Sequence, residues 1–90
     1  MKILFSDKAK NKLIELKKKD AKLVEKVYKQ LDLFIANPRH PSLRTHKLSG
    51  KLENSWSISI DRKFRFAYTW TKDGDAHFYK LGTHDEVYKK

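Results

Sequence analysis

The chain has no cysteine, and only two prolines and three glycines in 90 residues. Without Cys, neither disulfides nor thiolate metal sites can form, so packing must hold the fold. No stretch approaches the ~20 consecutive apolar residues that a membrane-spanning helix requires. The opening Met1-Lys2-Ile3-Leu4-Phe5-Ser6 is too short an apolar run for a signal peptide, and a cytoplasmic location is expected. There is no internal repeat and no low-complexity linker, so residues 1–90 read as a single domain. Phosphate-loop, dinucleotide and serine-nucleophile motifs are also missing, which removes those chemistries. The four histidines, His40, His46, His77 and His84, form no i, i+4 pair, so neither a metal nor any other cofactor is expected.

Acidic residues are scarce too: 11 Asp and Glu face 21 Lys and Arg, a formal net charge of +10. Self-repulsion of this size works against a compact domain, so the excess points to a polyanionic partner. Nucleic acid fits best, because phosphate contacts gain affinity from released counterions. An anionic membrane surface and an acidic protein are the alternatives. Lys10, Lys12, Lys17, Lys18 and Lys19 crowd one helix and read as a solvated face. The mixed Arg, Lys and His set between Arg39 and Arg65 reads as a binding surface.

Hydrophobic residues make up 39% of the chain and aromatics 12%, enough for one core. Lys2 to Phe5 is a candidate first strand. Ser6 is a good N-cap, followed by Ala9, Leu13 and Leu16 at helical spacing, with Ile14 beside them. Asp20 is a second N-cap candidate, before Val24, Val27, Tyr28, Leu31, Phe34 and Ile35. Leu13, Tyr28 and Leu31 are assigned to the core face, and Asn37-Pro38 stops the second helix. After a polar stretch to Asn54 the period changes to two. Trp56, Ile58 and Ile60 alternate with serines, and Phe64, Phe66, Tyr68 and Trp70 form the next strand after a turn at Asp61-Arg62-Lys63. Lys72-Asp73-Gly74-Asp75 marks a hairpin, and a last strand from Ala76 to Leu81 ends at Gly82. The expected class is α+β, in the order β-α-α-β-β-β, with a helical hairpin on one face of an antiparallel sheet. The other face is then open for binding.

The titratable residues that stand out beyond the helices include His46 and Lys47, then Arg62, Lys63 and Arg65, then His84 and Tyr88. Each has an ordinary structural reading: His46 capping a loop, Arg65 pairing with an acid across the sheet, Tyr88 packing near the end of the chain. Together they match the needs of RNA cleavage: cations for the phosphate, a base for the 2′-OH and an acid for the leaving oxygen.

Their order and spacing resemble a known family. Asn37-Pro38-Arg39, His46-Lys47-Leu48-Ser49-Gly50, Trp56 to Ile60, Phe64 to Tyr68, and Gly82-Thr83-His84 before Val87-Tyr88 look like the RelE/ParE toxin superfamily. The second and last pieces are most similar to the YafQ-like branch of RelE-type mRNA interferases. The resemblance implies a RelE-like fold and the toxin of a type II toxin–antitoxin system. Such a toxin acts as a metal-independent endoribonuclease on mRNA in the ribosomal A site, and a cognate antitoxin holds it inactive. The toxin alone is expected to be a monomer. By position, His46 and His84 match catalytic histidines of that branch. Arg65 matches a phosphate-contacting Arg, and Tyr88 an aromatic that stacks on or orients the base. Lys47, Lys51, Arg62 and Lys63 are the expected RNA-backbone contacts. Ser59 departs from the pattern, standing where YafQ-like members carry His and RelE carries Lys. A ParE-like gyrase poison, or a catalytically weakened homologue that only binds nucleic acid or antitoxin, are the alternative functions.

Overall fold

Ser6 shapes the first turn of the chain. Its extended backbone lets its Oγ accept from the Ala9 N–H at 3.1 Å, which caps a helix that begins at Asp7. In the computed structural model, which describes residues 1–48 and 54–88, this helix is α1 (Asp7–Lys19). It follows a short strand, β1 (Ile3–Phe5). Asp20 closes α1 through its N–H to the Leu16 carbonyl and opens α2 (Ala21–Ala36) by accepting from the Leu23 N–H at 3.2 Å. One residue thus makes the whole turn between the helices. Asn37 ends α2, and Pro38 prevents its continuation.

A single 3₁₀ turn (Pro41–Leu43) leads to β2 (His46–Lys47), then β3 (Ser55–Ser59), β4 (Phe64–Trp70), β5 (Ala76–Thr83) and a terminal helix α3 (His84–Tyr88). The sheet runs β1-β5-β4-β3-β2. The meander β3-β4-β5 is antiparallel as expected, and β2 joins it antiparallel. β1 pairs parallel with β5, so the sheet as a whole is mixed. Ser49, Gly50 and Lys51 lie outside the described residues. No helix among the described residues is long and apolar enough to cross a membrane.

The helices cover one face of the sheet. Ala9, Leu13, Leu16, Val24, Val27, Leu31 and Phe34 pack on Ile58, Ile60, Phe66, Tyr68 and Phe78. Phe34 sits at the centre, its ring centroid 5.0 Å from Tyr68 and 5.3 Å from Phe78 in edge-to-face contacts. Tyr28, assigned to this core by its spacing, is instead 52% exposed. The buried stripe of α2 runs through Val24, Val27, Leu31 and Phe34, and Tyr28 falls one position round the helix from Val27, on its outer shoulder.

Three further features of β5 and the opposite face go beyond the sequence reading. Period-two alternation would send Phe78 and Lys80 into the core and Leu81 out. The pairing instead jumps from Tyr68 with Phe78 to Ala67 with Lys80, leaving Tyr79 without a register partner. This bulge lets both Phe78 and Leu81 face the helices. The Tyr79 carbonyl accepts from Ser6 Oγ at 3.2 Å. Next, β5 continues through Gly82, which pairs with Arg65, rather than ending there. Finally, α3 folds back over the sheet face expected to be open, packing Val87 and Tyr88 with Leu48, Ala67 and Tyr79.

Burial separates the two aromatics of α2. Phe34→Ala should cost about 3–5 kcal/mol in urea unfolding, as expected for an aromatic removed from a packed core. Tyr28→Ala should change stability by only about 0.5 kcal/mol, the ordinary range for surface positions. Similar costs at the two positions would contradict this packing.

Candidate functional site

Ser57 lies at the middle of β3 with its side chain on the face away from α1 and α2, and it is fully buried. Arg65, near the start of β4, lies on the same face and is only 7% exposed. Its Nε donates to Ser57 Oγ at 2.7 Å, and its Nη2 donates to the Ser57 carbonyl at 3.0 Å and the Arg44 carbonyl at 2.6 Å. Arg44 closes the 3₁₀ turn in the left-handed region, at φ 46°, sparsely used by residues other than glycine. That conformation accompanies the aim of its carbonyl at the guanidinium. Among the described residues Arg65 has no carboxylate partner, so the expectation of an acid across the sheet is not met. The Nη1 edge makes no hydrogen bond there either.

The hydroxyl of Tyr88 lies 3.0 Å from Ser57 Oγ. Arg65 Nε can only donate, so Ser57 Oγ accepts from it and keeps a proton and a second lone pair, either of which completes the bond with Tyr88. One small hydroxyl therefore holds both the cation and the aromatic. The sequence reading treats Ser57 as a spacer between apolar residues. Nothing local distinguishes it from Ser55 and Ser59.

The position of α3 follows from its own first turn. Thr83 Oγ1 accepts from the Glu86 N–H at 3.3 Å, while Glu86 Oε1 accepts from the Thr83 N–H at 2.8 Å. This is a capping box, and its Thr-x-x-Glu signature is legible in Thr83-His84-Asp85-Glu86. The backbone hydrogen bond from Thr83, with a second from its side chain, holds the Glu86 carboxyl below its ordinary pKa. The box puts His84 in the first turn of α3 and Tyr88 one turn later, their ring centroids 4.4 Å apart. The His84 N–H donates to the Lys63 carbonyl at 3.1 Å, tying α3 to the β3–β4 turn.

These elements border an open cleft of about 590 Å³. Lys26, Lys29, Arg44, Arg62 and Arg65 line it, with His84 and Ser59, and among the described residues Asp61 is its one carboxylate, its Oδ2 3.9 Å from Lys26 Nζ. Asp61 is largely occupied in the turn, where its Oδ1 accepts from the Lys63 and Phe64 N–H groups at 2.8 and 2.7 Å. Lys26 and Lys29 of α2 have no role in the sequence reading. They enter because the end of the β3–β4 hairpin packs beside α2.

Not every expected site residue reaches the cleft. Arg65, His84 and Arg62 line it, and Tyr88 stands directly behind His84. His46 pairs with Ser57 across β2 and β3, so it flanks the Arg65–Ser57–Tyr88 cluster on the edge strand. Lys47, the next residue, pairs with Trp56 and lies on the opposite face, its Nζ 5.7 Å from the Trp56 ring centroid. Lys63 stands in the turn with its ammonium 6.0 Å from the Phe64 ring. No group of three His, Cys, Asp or Glu among the described residues is placed to hold a metal ion.

The fold has relatives among solved structures. A YoeB/ParE toxin from Agrobacterium tumefaciens superposes with a TM-score of 0.81 at 20% identity, over 93% of this chain and 99% of that one. YafQ from E. coli gives 0.75 at 22% identity, over 96% of each chain. The toxin of a heterotetrameric YoeB–YefM toxin–antitoxin complex from Staphylococcus aureus gives 0.78 at 24% identity, covering 93% and 97%. No protein-family model matches the chain, and no curated protein sequence matches it significantly.

The capping box carries its own pH dependence. With the folded-state pKa of Glu86 below its unfolded value, its contribution is fully present above the ordinary carboxylate range. It is lost as pH falls through the lowered value. The Thr83 amide resonance should report that loss in an NMR titration, with a midpoint below that of an unperturbed Glu. A midpoint at or above the unperturbed value would contradict the bond.

Proposed function

We propose that this chain, which has the fold of the RelE/YafQ-like toxins, is the toxin of a type II toxin–antitoxin pair and cuts mRNA in the ribosomal A site. The observation that carries this reading is Arg65, a buried guanidinium with no anionic partner among the described residues, bordering a cationic cleft that His84 also lines. Burying a charge is costly unless an opposite charge completes the site. A phosphodiester in the cleft would supply that charge.

Metal-independent cleavage then follows from the chain's own groups. One histidine, His84 or His46, removes the proton of the 2′-OH as its oxygen attacks the adjacent phosphorus in line. The Nη1 edge of Arg65 takes up the charge of the pentavalent phosphorane, with Ser57 and Arg44 holding the guanidinium still. The bond to O5′ breaks, and the other histidine protonates that oxygen. The products are a 2′,3′-cyclic phosphate and a free 5′-OH. Tyr88, braced by Ser57 and by the His84 ring, orients the base beside the scissile bond. Lys47, Lys51, Arg62 and Lys63 contact backbone phosphates, joined by Lys26 and Lys29 along α2.

Control falls to a cognate antitoxin encoded alongside. A basic toxin of this size suits an acidic, partly disordered partner that folds as it covers the cleft. The S. aureus structure shows one toxin of this fold in complex with an antitoxin.

The test is primer extension on translated mRNA after induction, with cleavage followed in the presence of EDTA on ribosomes kept intact. Discrete stops within codons are expected, and a DNA-damage response with intact mRNA would instead place the activity at gyrase. His84→Ala should retain ribosome binding and lose about 10²–10⁴ in cutting rate, the usual cost of a proton-transfer group. His46→Ala should fall in the same direction, and wild-type cutting by the double variant would overturn the assignment. Ribosome affinity should fall steeply with salt. Arg62→Ala with Lys63→Ala should flatten that dependence by about 0.7 in log–log slope for each single-strand phosphate that is no longer neutralised.

A further inference from the structure

The chain has two tryptophans, and both line the same groove, away from the cleft. It lies between the end of α2 and the helix-side face of β3 and β4, with a volume of about 660 Å³. That is within the roughly 300–1,000 Å³ typical of ligand pockets. Trp56, Tyr68 and Trp70 form its aromatic wall, Asn37 and Arg39 its rim, and no carboxylate among the described residues lines it. One face of Trp70 stacks on Phe34, at 5.8 Å and 23° between ring planes, yet Trp70 is still 42% exposed. The Lys47 ammonium sits over Trp56. Neither Arg39 nor Lys47 is ion-paired among the described residues.

A core has no use for such a surface. Aromatic planes beside unpaired cations are what a single-stranded nucleic acid binds: bases stack on the rings while Lys and Arg take the phosphates. β2 connects this groove to the cleft. Among the described residues it is the outermost strand of the sheet, with no described strand beyond it. Its two residues divide between the faces, His46 opposite Ser57 on the cleft side and Lys47 opposite Trp56 on the groove side. A strand of RNA leaving the cleft past His46 meets Lys47 next.

We propose that this groove is a second subsite that stacks unpaired bases flanking the cut, with Trp70 as the platform and Lys47 and Arg39 as the phosphate contacts. The inference rests on RNA being the partner, but it is tested without cleavage. Because all tryptophan emission comes from this groove, intrinsic fluorescence reads its occupancy directly.

The experiment titrates the whole protein at low salt with a short single-stranded RNA. The same oligomer as a duplex, a ribose-phosphate oligomer of equal length without bases, and polyglutamate of equal charge serve as comparisons. The single strand should quench emission saturably, and the other three should bind more weakly or leave emission unchanged. Trp70→Ala should weaken binding about tenfold or more, the loss of one base–aromatic stack, and Trp70→Phe should restore part of it. The exposed pair Arg39→Ala and Lys47→Ala, which keeps all three rings of the groove, should weaken it as well. Equal quenching by the base-free oligomer would reduce the groove to a charged surface. Equal quenching by polyglutamate would make it a site for acidic peptide, and no quenching by the single strand would remove it altogether. Each of these overturns the proposal. Cutting in the primer-extension assay without quenching would reject the groove alone, whereas quenching without cutting would reject the nuclease reading and leave the groove standing.

Discussion

The bulge at Tyr79 is the constraint on which the rest of the molecule turns. Helices α1 and α2 demand apolar side chains from β5, and the chain supplies them at Ala76, Phe78 and Leu81, a spacing that regular alternation cannot serve. One extra residue in β5 resolves the conflict. Its carbonyl is taken by Ser6, the residue that also caps α1, so the bulge, β1 and the first helix are fastened at one point. Downstream, the corrected phase sets Gly82 opposite Arg65 and Thr83 opposite Phe64. A side chain added at Gly82 would come within 3.1 Å of the Glu86 side chain, so the absence of a Cβ there leaves room for the capping box that starts α3. His84 and Tyr88 reach the sheet's second face through this sequence of contacts.

On that face the energetic question is how a guanidinium stays buried. Stripping water from a cation costs several kcal/mol, and hydrogen bonds to a charged donor each return about 1.5–3 kcal/mol. Arg65 makes three, two of them to backbone carbonyls whose positions do not depend on side-chain rotamers. The arrangement holds the charge rigid and leaves the Nη1 edge for something else. Preorganisation of this kind is what stabilises a developing oxyanion, because no reorientation is needed when charge appears. Tyr88 shares the same anchor, so a disturbance at Ser57 reaches the cation and the aromatic together.

The +10 charge is not spread evenly in its consequences. The lysines of α1 have few close partners, Lys19 with Glu15 being a solvent-exposed pair that contributes little. Among the described residues of the cleft, five cations converge with one carboxylate, which is engaged by two backbone N–H groups and by Lys26. Around the edge strand the groove adds cations beside aromatic rings. Charge acts at long range on any polyanion, while the hydrogen-bonded and aromatic surfaces set where close contacts can form.

Local sequence was sufficient for most features whose cause lies within about one helical turn or one alternation. Ser6 and Asp20 as caps, Pro38 as a stop, the core stripe through Leu13 and Leu31, the alternating β3 and β4 and the Gly74 hairpin were all legible, as was the basic character of the chain. Tyr28 was misplaced because helical spacing marks a broad apolar arc without saying where the sheet stops covering it. The resemblance pointed to Arg65, His84, His46 and Tyr88, but it could not say what holds them. Ser57 meets Tyr88 from 31 positions away and Arg65 meets the Arg44 carbonyl from 21, and both contacts depend on strand register. The parallel pairing of β1 with β5, the bulge at Tyr79 and the division of His46 from Lys47 across β2 are likewise products of long-range pairing. Periodicity and capping are short-range physics written in adjacent residues, whereas a site assembled across strands exists only once the sheet has chosen its register.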